Sequence, residues 1–238
     1  MKSFEEMWEE ISSYLKVENA LEQGFSNGKY TRILAKYAKN VTGIDLSEDF
    51  YKMATENLSD CDNIKLLMMD AEHMDFADKS FDVLLNTSFH EFDLSNDEFR
   101  LDLDLKKRIL LEMIRVSNTI IFVEPTENAV TNELFKVFNP IEDHSLRIAK
   151  SNELIESVMA ENGYDMVVKG LTYNRDEFAT REELEEEMLA WWADIKIPQN
   201  AEEKQAMIKE IDRILENAGM LEQLQVTEDI AYRVFQKR

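Results

Sequence analysis

Hydrophobic residues recur along the chain with two alternating periods. Residues 3–16 place apolar side chains at helical spacing behind a possible Ser3–Glu6 capping box, which predicts an amphipathic N-terminal helix. From residue 17 onward, short apolar runs typical of strands alternate with longer stretches typical of helices. The predicted strands are 17–23, 41–45, 64–69, 81–86, 119–123, 164–173 and 224–236. The predicted helices are 29–39, a segment that begins after Ser47, 95–117, 151–162, 181–195 and 201–218.

Small polar residues and glycines mark the ends of several predicted helices. Ser47 stands where an N-cap is expected, and the pairs Ser95–Glu98 and Thr180–Glu183 match the spacing of a capping box. Gly163 and Gly219 follow helical stretches directly, where a left-handed C-terminal residue is common. These signals support the predicted helix boundaries.

The alternation of strands and helices predicts the fold class. Five strands that alternate with helices imply a doubly wound, mostly parallel sheet, because parallel strands need crossover connections. We expect one α/β domain over residues 1–238. Its predicted parts are an N-terminal helical arm (1–16), a core (17–173), a helical insertion (174–220) and a final strand (224–236).

The composition is strongly acidic. The chain has 49 acidic and 27 basic residues, a net charge of −22, which would repel phosphate backbones and anionic lipid. We therefore expect no nucleic-acid partner, whereas a cationic ligand is not opposed. The longest apolar run, Met188–Ala193, is far shorter than the roughly 18 residues of a membrane span, and the N-terminus does not resemble a signal peptide. The single cysteine, Cys61, fits a reducing compartment, so we expect a cytoplasmic protein.

A turn with two glycines follows the first predicted strand. Gly24 and Gly28 lie before the next helix, at the edge where doubly wound sheets bind ligands. Asp45 ends the second strand 21 residues after Gly24, near the ~20-residue offset at which an acid binds a ribose diol. This arrangement predicts an adenosine-containing ligand. Ser26 and Lys29 stand where the dinucleotide fingerprint requires glycine, which argues against NAD.

Four stretches in the same order resemble the motifs of the class I S-adenosylmethionine-dependent methyltransferases. They are Leu21–Thr31, Val41–Ser47, Met69–Phe76 and Asp78–Asn86. The chain is similar in particular to the small-molecule enzymes of the quinone-biosynthesis methyltransferase group. The resemblance implies a Rossmann-like methyltransferase fold with a seven-stranded sheet, in which 224–236 is the antiparallel last strand, and S-adenosylmethionine as the cofactor.

The resemblance also implies which residues bind the methionine and ribose parts of the cofactor. Glu22 would face the methionine ammonium group, directly or through water, and Asp45 would accept both ribose hydroxyls. Backbone groups of the glycine turn would hold the methionine part. The turn residues concerned are Gly24, Phe25, Ser26 and Gly28.

The same resemblance assigns the adenine and the sulfonium. Leu46 would pack on the adenine, Asp70 would accept a proton from its amino group, and the N–H of Ala71 would donate to a ring nitrogen. Asn86 and Thr87, at the end of the fourth strand, would lie near the sulfonium.

Candidate residues for the methyl acceptor follow the fourth and fifth strands and lie in the insertion. His90 is either a catalytic base with an apparent pKa near 6–7 or a loop residue that packs on the cofactor. Glu124 faces either a cationic acceptor or solvent, and His144 lies in a predicted loop that would flank the acceptor. Trp191 and Trp192 are core residues or walls of the acceptor pocket, about 100° apart on a helix. The three histidines and one cysteine lack zinc-site spacing, so no metal is expected.

These observations predict methyl transfer from S-adenosylmethionine to a small molecule, with the insertion 174–220 as a lid over the acceptor. The alternative is a catalytically silent methyltransferase-like module that binds the cofactor or a protein partner. Ser26, in place of the family's middle glycine, and the polar first strand, Val17–Gln23, keep that alternative open.

Overall fold

The strands of the protein form one sheet. The computed structural model describes residues 2–93, 101–193 and 195–238. The strands of this part are β1 (Lys2–Ser3), β2 (Asn19–Gln23), β3 (Asn40–Asp45), β4 (Ile64–Met68), β5 (Phe81–Asn86), β6 (Ser117–Pro125), β7 (Tyr164–Glu177) and β8 (Gln225–Lys237).

Helices connect most of the strands, as expected for crossover connections. In the described residues they are α1 (Phe4–Leu15), α2 (Lys29–Ala35), α3 (Glu48–Asn57), α4 (Leu103–Val116), α5 (Val130–Phe138), α6 (His144–Glu161), α7 (Arg181–Trp191) and α8 (Ala201–Asn217), with a 3₁₀ turn at Phe89–Glu91. None of these helices has both the length and the apolar character needed to cross a membrane.

The sheet has eight strands in the order β1-β7-β8-β6-β5-β2-β3-β4. The central strand β2 pairs in parallel with β3 and β5, and β5 pairs in parallel with β6. The doubly wound, mostly parallel α/β fold predicted from the sequence is thus confirmed. The predicted count of seven strands is wrong by one, because Lys2 and Ser3 pair in parallel with Thr172 and Tyr173 at the sheet edge.

The chain divides into two compact units, each assembled from segments distant in sequence. The larger unit consists of Glu5–Glu124, Lys150–Gly170 and Ala231–Arg238. The smaller unit consists of Met1–Phe4, Pro125–Ala149 and Leu171–Ile230. The glycine turn and the four motifs belong to the larger unit, and helices α5, α7 and α8 belong to the smaller one.

Each unit has an apolar core of its own. In the larger unit, Leu21, Leu84 and Phe122 from three neighbouring strands are buried against Ile109 and Met113 of α4. In the smaller unit, the apolar faces of α5, α7 and α8 pack together. The buried residues of this second cluster include Leu134, Phe138, Leu184, Met188, Met207, Ile211 and Leu215.

Two of the predicted helix caps are confirmed. The N–H of Phe50 donates to the Ser47 hydroxyl at the start of α3, and the N–H of Glu183 donates to the Thr180 hydroxyl at the start of α7. The predicted Ser95–Glu98 capping box lies outside the described residues. Helix α4 begins at Leu103, where the carboxylate of Asp102 is the N-cap.

Other boundaries differ from the prediction. Helix α6 begins at His144 and not near residue 151, so His144 lies on a helix where a loop was expected. Helix α5 occupies Val130–Phe138, a segment for which no helix was predicted. Strand β7 continues to Glu177, so the helical insertion begins after that residue.

Candidate active site

The glycine turn lies at the carboxyl end of β2, directly before α2. Gly24, Ser26 and Gly28 have positive φ angles of 80°, 46° and 85°, a region that glycine adopts readily and serine rarely. A Cβ atom on Gly28 would come within 2.8 Å of the Leu58 side chain, so that position has room only for glycine. The turn is therefore tight enough to let a ligand approach its backbone.

Asp45 fixes the serine of this turn. The N–H of Ser26 donates to Asp45 Oδ2 over 3.0 Å, and the N–H of Ser47 donates to Oδ1 over 2.9 Å. Asp45 thus links the glycine turn of β2 to the start of α3 after β3. The departure of Ser26 from glycine is accommodated, because the carboxylate holds its N–H in the turn.

The side chains of Phe25 and Leu46 lie in opposite environments. Phe25 is buried and packs with Ala54 and Leu58, so only its backbone can contribute to a ligand site. Leu46 is 63% exposed at the end of β3, beside Asp45. An exposed leucine at this edge offers an apolar surface to a planar ring.

Glu22 is a fully buried carboxyl group at the end of the central strand. Its Oε2 accepts a hydrogen bond from the Thr31 hydroxyl on α2, and its Oε1 has no hydrogen-bond partner among the described residues. Burial, only partly offset by the Thr31 hydrogen bond and reinforced by the negative charge of Asp45, raises the pKa of Glu22 to about 8. A buried oxygen without a donor indicates a place for a cationic or hydrogen-bonding group.

Gln23 and Asn86 form an amide pair on the opposite face of the sheet. They are register partners on β2 and β5, and Asn86 Nδ2 donates to Gln23 Oε1 over 3.1 Å. Gln23 Nε2 is buried and has no partner among the described residues. Asn86 was predicted as a cofactor-binding residue from the sequence, and Gln23 was not. A polar residue in a predicted strand gives no sign of which groups surround it.

The remaining residues predicted for the cofactor lie at the same edge of the larger unit. Asp70 follows β4, is exposed, and accepts the N–H of Glu72 through Oδ1 over 2.8 Å. Ala71 is half-buried beside it, and Thr87, directly after β5, is also half-buried. Their polar groups are thus accessible at the carboxyl ends of β4 and β5.

His90 and Glu124 form a buried pair. Glu124 accepts the N–H groups of Phe89 over 2.6 Å and His90 over 3.2 Å, and its Oε2 lies 2.5 Å from His90 Nδ1. Burial alone would lower the pKa of His90, but attraction to Glu124 and Glu91 outweighs it and raises that pKa above its usual value. The pair with Glu124 therefore favours the charged form of the His90 imidazole.

Glu124 faces neither solvent nor an open space. Its side chain is 1% exposed, and both oxygens are engaged by the turn that carries His90. Its role in the described structure is to hold that turn.

Lys106 of α4 binds the same two residues of the turn through their carbonyl oxygens. Its Nζ donates to the carbonyl oxygens of Phe89 over 2.7 Å and His90 over 2.9 Å, and lies 3.0 Å from Asp93 Oδ1. Lys106 and Asp93 are both fully buried. The sequence analysis missed this residue, since a lysine in an amphipathic helix ordinarily faces water.

In the smaller unit, His144 is buried and stacks on Phe135 with the ring centroids 4.1 Å apart. Its Nδ1 lies 3.6 Å from Glu142, which also binds the buried guanidinium of Arg147. Burial would raise the pKa of Glu142, but hydrogen bonds from His144 and Arg147 lower it. The imidazole thus has a fixed position within this unit.

Trp191 and Trp192 both pack against the apolar cluster of the smaller unit. The Trp192 ring lies 5.8 Å from Phe135 and 5.3 Å from Phe138, and 5.6 Å from Trp191, measured between centroids. The prediction that the two side chains point about 100° apart on one helix is wrong. Helix α7 ends at Trp191, so Trp192 lies outside it.

The structure therefore brings most of the predicted residues together at one edge and assigns three to the other unit. The residues in the larger unit are Glu22, Gly24, Phe25, Ser26, Gly28, Asp45, Leu46, Asp70, Ala71, Asn86, Thr87, His90 and Glu124. Those in the smaller unit are His144, Trp191 and Trp192.

One protein-family sequence profile matches part of the chain. The sequence profile of the methyltransferase domain matches residues 21–117, a segment that contains the glycine turn, Asp45, Asp70 and His90. No curated protein sequence matches the chain.

Several solved structures share the fold over almost the whole chain. A proposed methyltransferase from Bacillus halodurans C-125 has 15% sequence identity, with 98% of this chain and 97% of that chain covered and a TM-score of 0.65. The YcgJ protein from Bacillus subtilis has 11% identity, with 98% and 99% covered and a TM-score of 0.61. A proposed sarcosine dimethylglycine methyltransferase from Galdieria sulphuraria has 13% identity, with 98% and 82% covered and a TM-score of 0.57. At these identities, the likeness concerns the fold.

Proposed function

We propose that the protein transfers a methyl group from S-adenosylmethionine to a small-molecule acceptor, because residues 21–117 match the sequence profile of a methyltransferase domain. The observation that carries the proposal is the glycine turn, with the N–H of Ser26 held by Asp45 at the carboxyl ends of β2 and β3. This is the edge at which doubly wound sheets bind ligands.

The polar groups at this edge fit the methionine end of the cofactor. The unpartnered Oε1 of Glu22 would accept a hydrogen bond from the ammonium group. The backbone from Gly24 to Gly28 would hold the chain of the amino acid, because Gly24 and Gly28 have no side chains to keep a ligand from the backbone. Asn86 and Thr87 would lie towards the sulfonium.

The ribose and adenine would be held by β3 and the loop after β4. Each Asp45 oxygen accepts one backbone N–H, so each retains capacity for a ribose hydroxyl. The exposed Leu46 would pack on the adenine. Asp70 and the N–H of Ala71 would bond to the polar edge of the ring.

The bound cofactor would supply an already activated methyl group on a sulfonium. The residues of this chain would align the acceptor and exclude water, which accounts for large rate enhancements in such displacements. His90, held by Glu124, is the proposed proton-transfer residue on the acceptor side. Because Glu124 and Glu91 raise its pKa against the effect of burial, the neutral form needed for a base is reached at a higher pH than for an ordinary histidine.

The acceptor roles of Glu124, His144, Trp191 and Trp192 and the lid formed by the insertion stay predictions. So does a cytoplasmic location, which depends on the single cysteine. No observation favours the alternative of a catalytically silent module.

The test is the formation of S-adenosylhomocysteine from S-adenosylmethionine, measured by mass spectrometry across a panel of small oxygen, nitrogen, sulfur and carbon acceptors. We expect product that depends on both the protein and one acceptor class, and that falls with Asp45→Ala. Cofactor binding without product over the whole panel would reject catalysis and leave a binding module.

A further inference from the structure

Glu22 has an unusual environment for a carboxylate. The side chain is fully buried at the end of β2, and among the described residues the Thr31 hydroxyl is its one hydrogen-bond donor. The second oxygen, Oε1, has none. An ionised carboxylate in such a place is costly unless further donors or a cation accompany it.

The charges around Glu22 do not provide that cation. In the described part of the chain, the charged group that acts on Glu22 is Asp45 on the neighbouring strand β3, and it is negative. The facing positions on the paired strands are Gly43 and Leu85, which carry no charge. Thr31, from α2, is neutral. Burial and Asp45 therefore both oppose ionisation of Glu22, and its pKa is about 8.

We propose that Glu22 carries a proton in the ligand-free protein and releases it to solvent when the ammonium group of the cofactor reaches Oε1, so that cofactor binding is coupled to proton release. The step balances, since the neutral acid and the ammonium cation become a carboxylate–ammonium pair plus one solvated proton. The inference rests on the proposed function, because it requires a ligand with an ammonium group at this site.

The coupling predicts how cofactor affinity changes with pH. At pH values below the pKa of Glu22, which is about 8, this carboxyl group is mostly protonated in the free protein. Each unit of falling pH should therefore weaken cofactor binding about tenfold. Between pH 6 and 7.5 the ligand's own ammonium group stays charged, so the slope belongs to the protein. In a Glu22→Gln variant the slope should vanish.

Thr31 is a positioning residue in this scheme. Its hydroxyl bonds to Oε2 and lowers the pKa of Glu22 against the effect of burial. The near-isosteric variant Thr31→Val removes that donor, so more of the free protein should be protonated at pH 7.5. The midpoint pH of proton release should therefore be higher in this variant than in the wild type.

Calorimetry of the full chain tests the proposal. S-adenosylhomocysteine is titrated at pH 6.0 to 7.5 in buffers of different ionisation enthalpy, and the buffer dependence of the heat gives the number of protons released. We expect close to one proton at pH 6.5. The matched control ligand is methylthioadenosine, which has the same nucleoside but no amino-acid end, and it should bind without proton release.

The outcomes distinguish a failure of the proton coupling from a failure of the proposed function. Binding of S-adenosylhomocysteine without proton release, or equal release from wild type and Glu22→Gln, overturns the coupling and leaves the proposed function intact. Absence of any binding removes both. If Glu22→Gln does not fold, Thr31→Val decides alone, and a midpoint pH of proton release that is no higher in that variant than in the wild type overturns the proposal.

Discussion

At the scale of single residues, Asp45 serves both the turn and the proposed ligand. Its two oxygens accept the N–H groups of Ser26 and Ser47, which keeps the carboxylate in place before any ligand arrives. A side chain held by its own backbone partners loses little freedom on binding. Its contribution to affinity should therefore be large.

Asp45→Ala should weaken binding of S-adenosylhomocysteine about 30-fold, or about 2 kcal/mol, by removing the charged acceptor of the ribose hydroxyls. The matched control is Asp49→Ala on α3, whose side chain is 93% exposed. Calorimetry should show wild-type affinity for the control. Unchanged affinity in Asp45→Ala would reject the assigned site.

His90 gives a prediction about pH. Burial lowers its pKa, but Glu124 and Glu91 raise it further, so the net value lies above 6.5. The stability that the charged pair contributes should be fully present below pH 6.5 and be lost as the pH rises through the higher folded-state value. For the same reason, a reaction that uses His90 as base should lose activity on the acid side at a pH above 6.5.

NMR titration can measure this directly, since the chain has three histidines and His90→Gln identifies the signal. Glu124→Gln should lower the pKa of His90, because the negative charge that offsets the effect of burial is then removed. His73, which is exposed, is the internal control. A pKa of His90 below 6.5 in the wild type, or the same pKa in wild type and Glu124→Gln, would contradict the description of the pair.

The residues of the site were predictable to different degrees. Glu22 and Asp45 follow from their places at strand ends, and a resemblance in motif order assigns them roles. Gln23 and Lys106 were not predictable, because their significance depends on neighbours far along the chain. Lys106 is buried only because Asp93 and two carbonyl groups of the turn after β5 surround its ammonium group.

At the scale of elements, two oppositely charged side chains hold the 3₁₀ turn at Phe89–Glu91. Glu124 of β6 accepts the N–H groups of Phe89 and His90, and Lys106 of α4 donates to the carbonyl oxygens of the same two residues. Charged partners strengthen such hydrogen bonds. These hydrogen bonds hold the turn in one position after the end of β5.

Lys106→Met should destabilise the protein by about 3–5 kcal/mol, since it leaves the buried carboxylate of Asp93 without its cation. The neighbouring Lys107 is exposed on the same helix, and Lys107→Met should change stability by less than about 0.5 kcal/mol. Urea denaturation compares the two. Similar midpoints for both variants would show that the buried pair does not stabilise the turn.

Elements with local signals were predicted well, and elements defined by distant contacts were not. The Ser47 and Thr180 caps specify the starts of α3 and α7 within a few residues of sequence. Strand β1 has only two residues and exists through its pairing with Thr172 and Tyr173. No periodicity can reveal so short a strand.

At the scale of the whole molecule, the unit that contains the segment matching the methyltransferase-domain profile and the second compact unit each have an apolar core of their own. A net charge of −22 extends over this molecule and favours a cationic ligand over an anionic polymer. The sulfonium and ammonium groups of S-adenosylmethionine suit that field. The central claim is that the larger unit binds this cofactor at the glycine turn.

The most direct measurement is a calorimetric titration of the folded full chain with S-adenosylhomocysteine at pH 7.5. The account predicts saturable binding to one site with a Kd in the micromolar range, about −8 kcal/mol. A folded protein that shows no saturable binding up to millimolar ligand would contradict the claim.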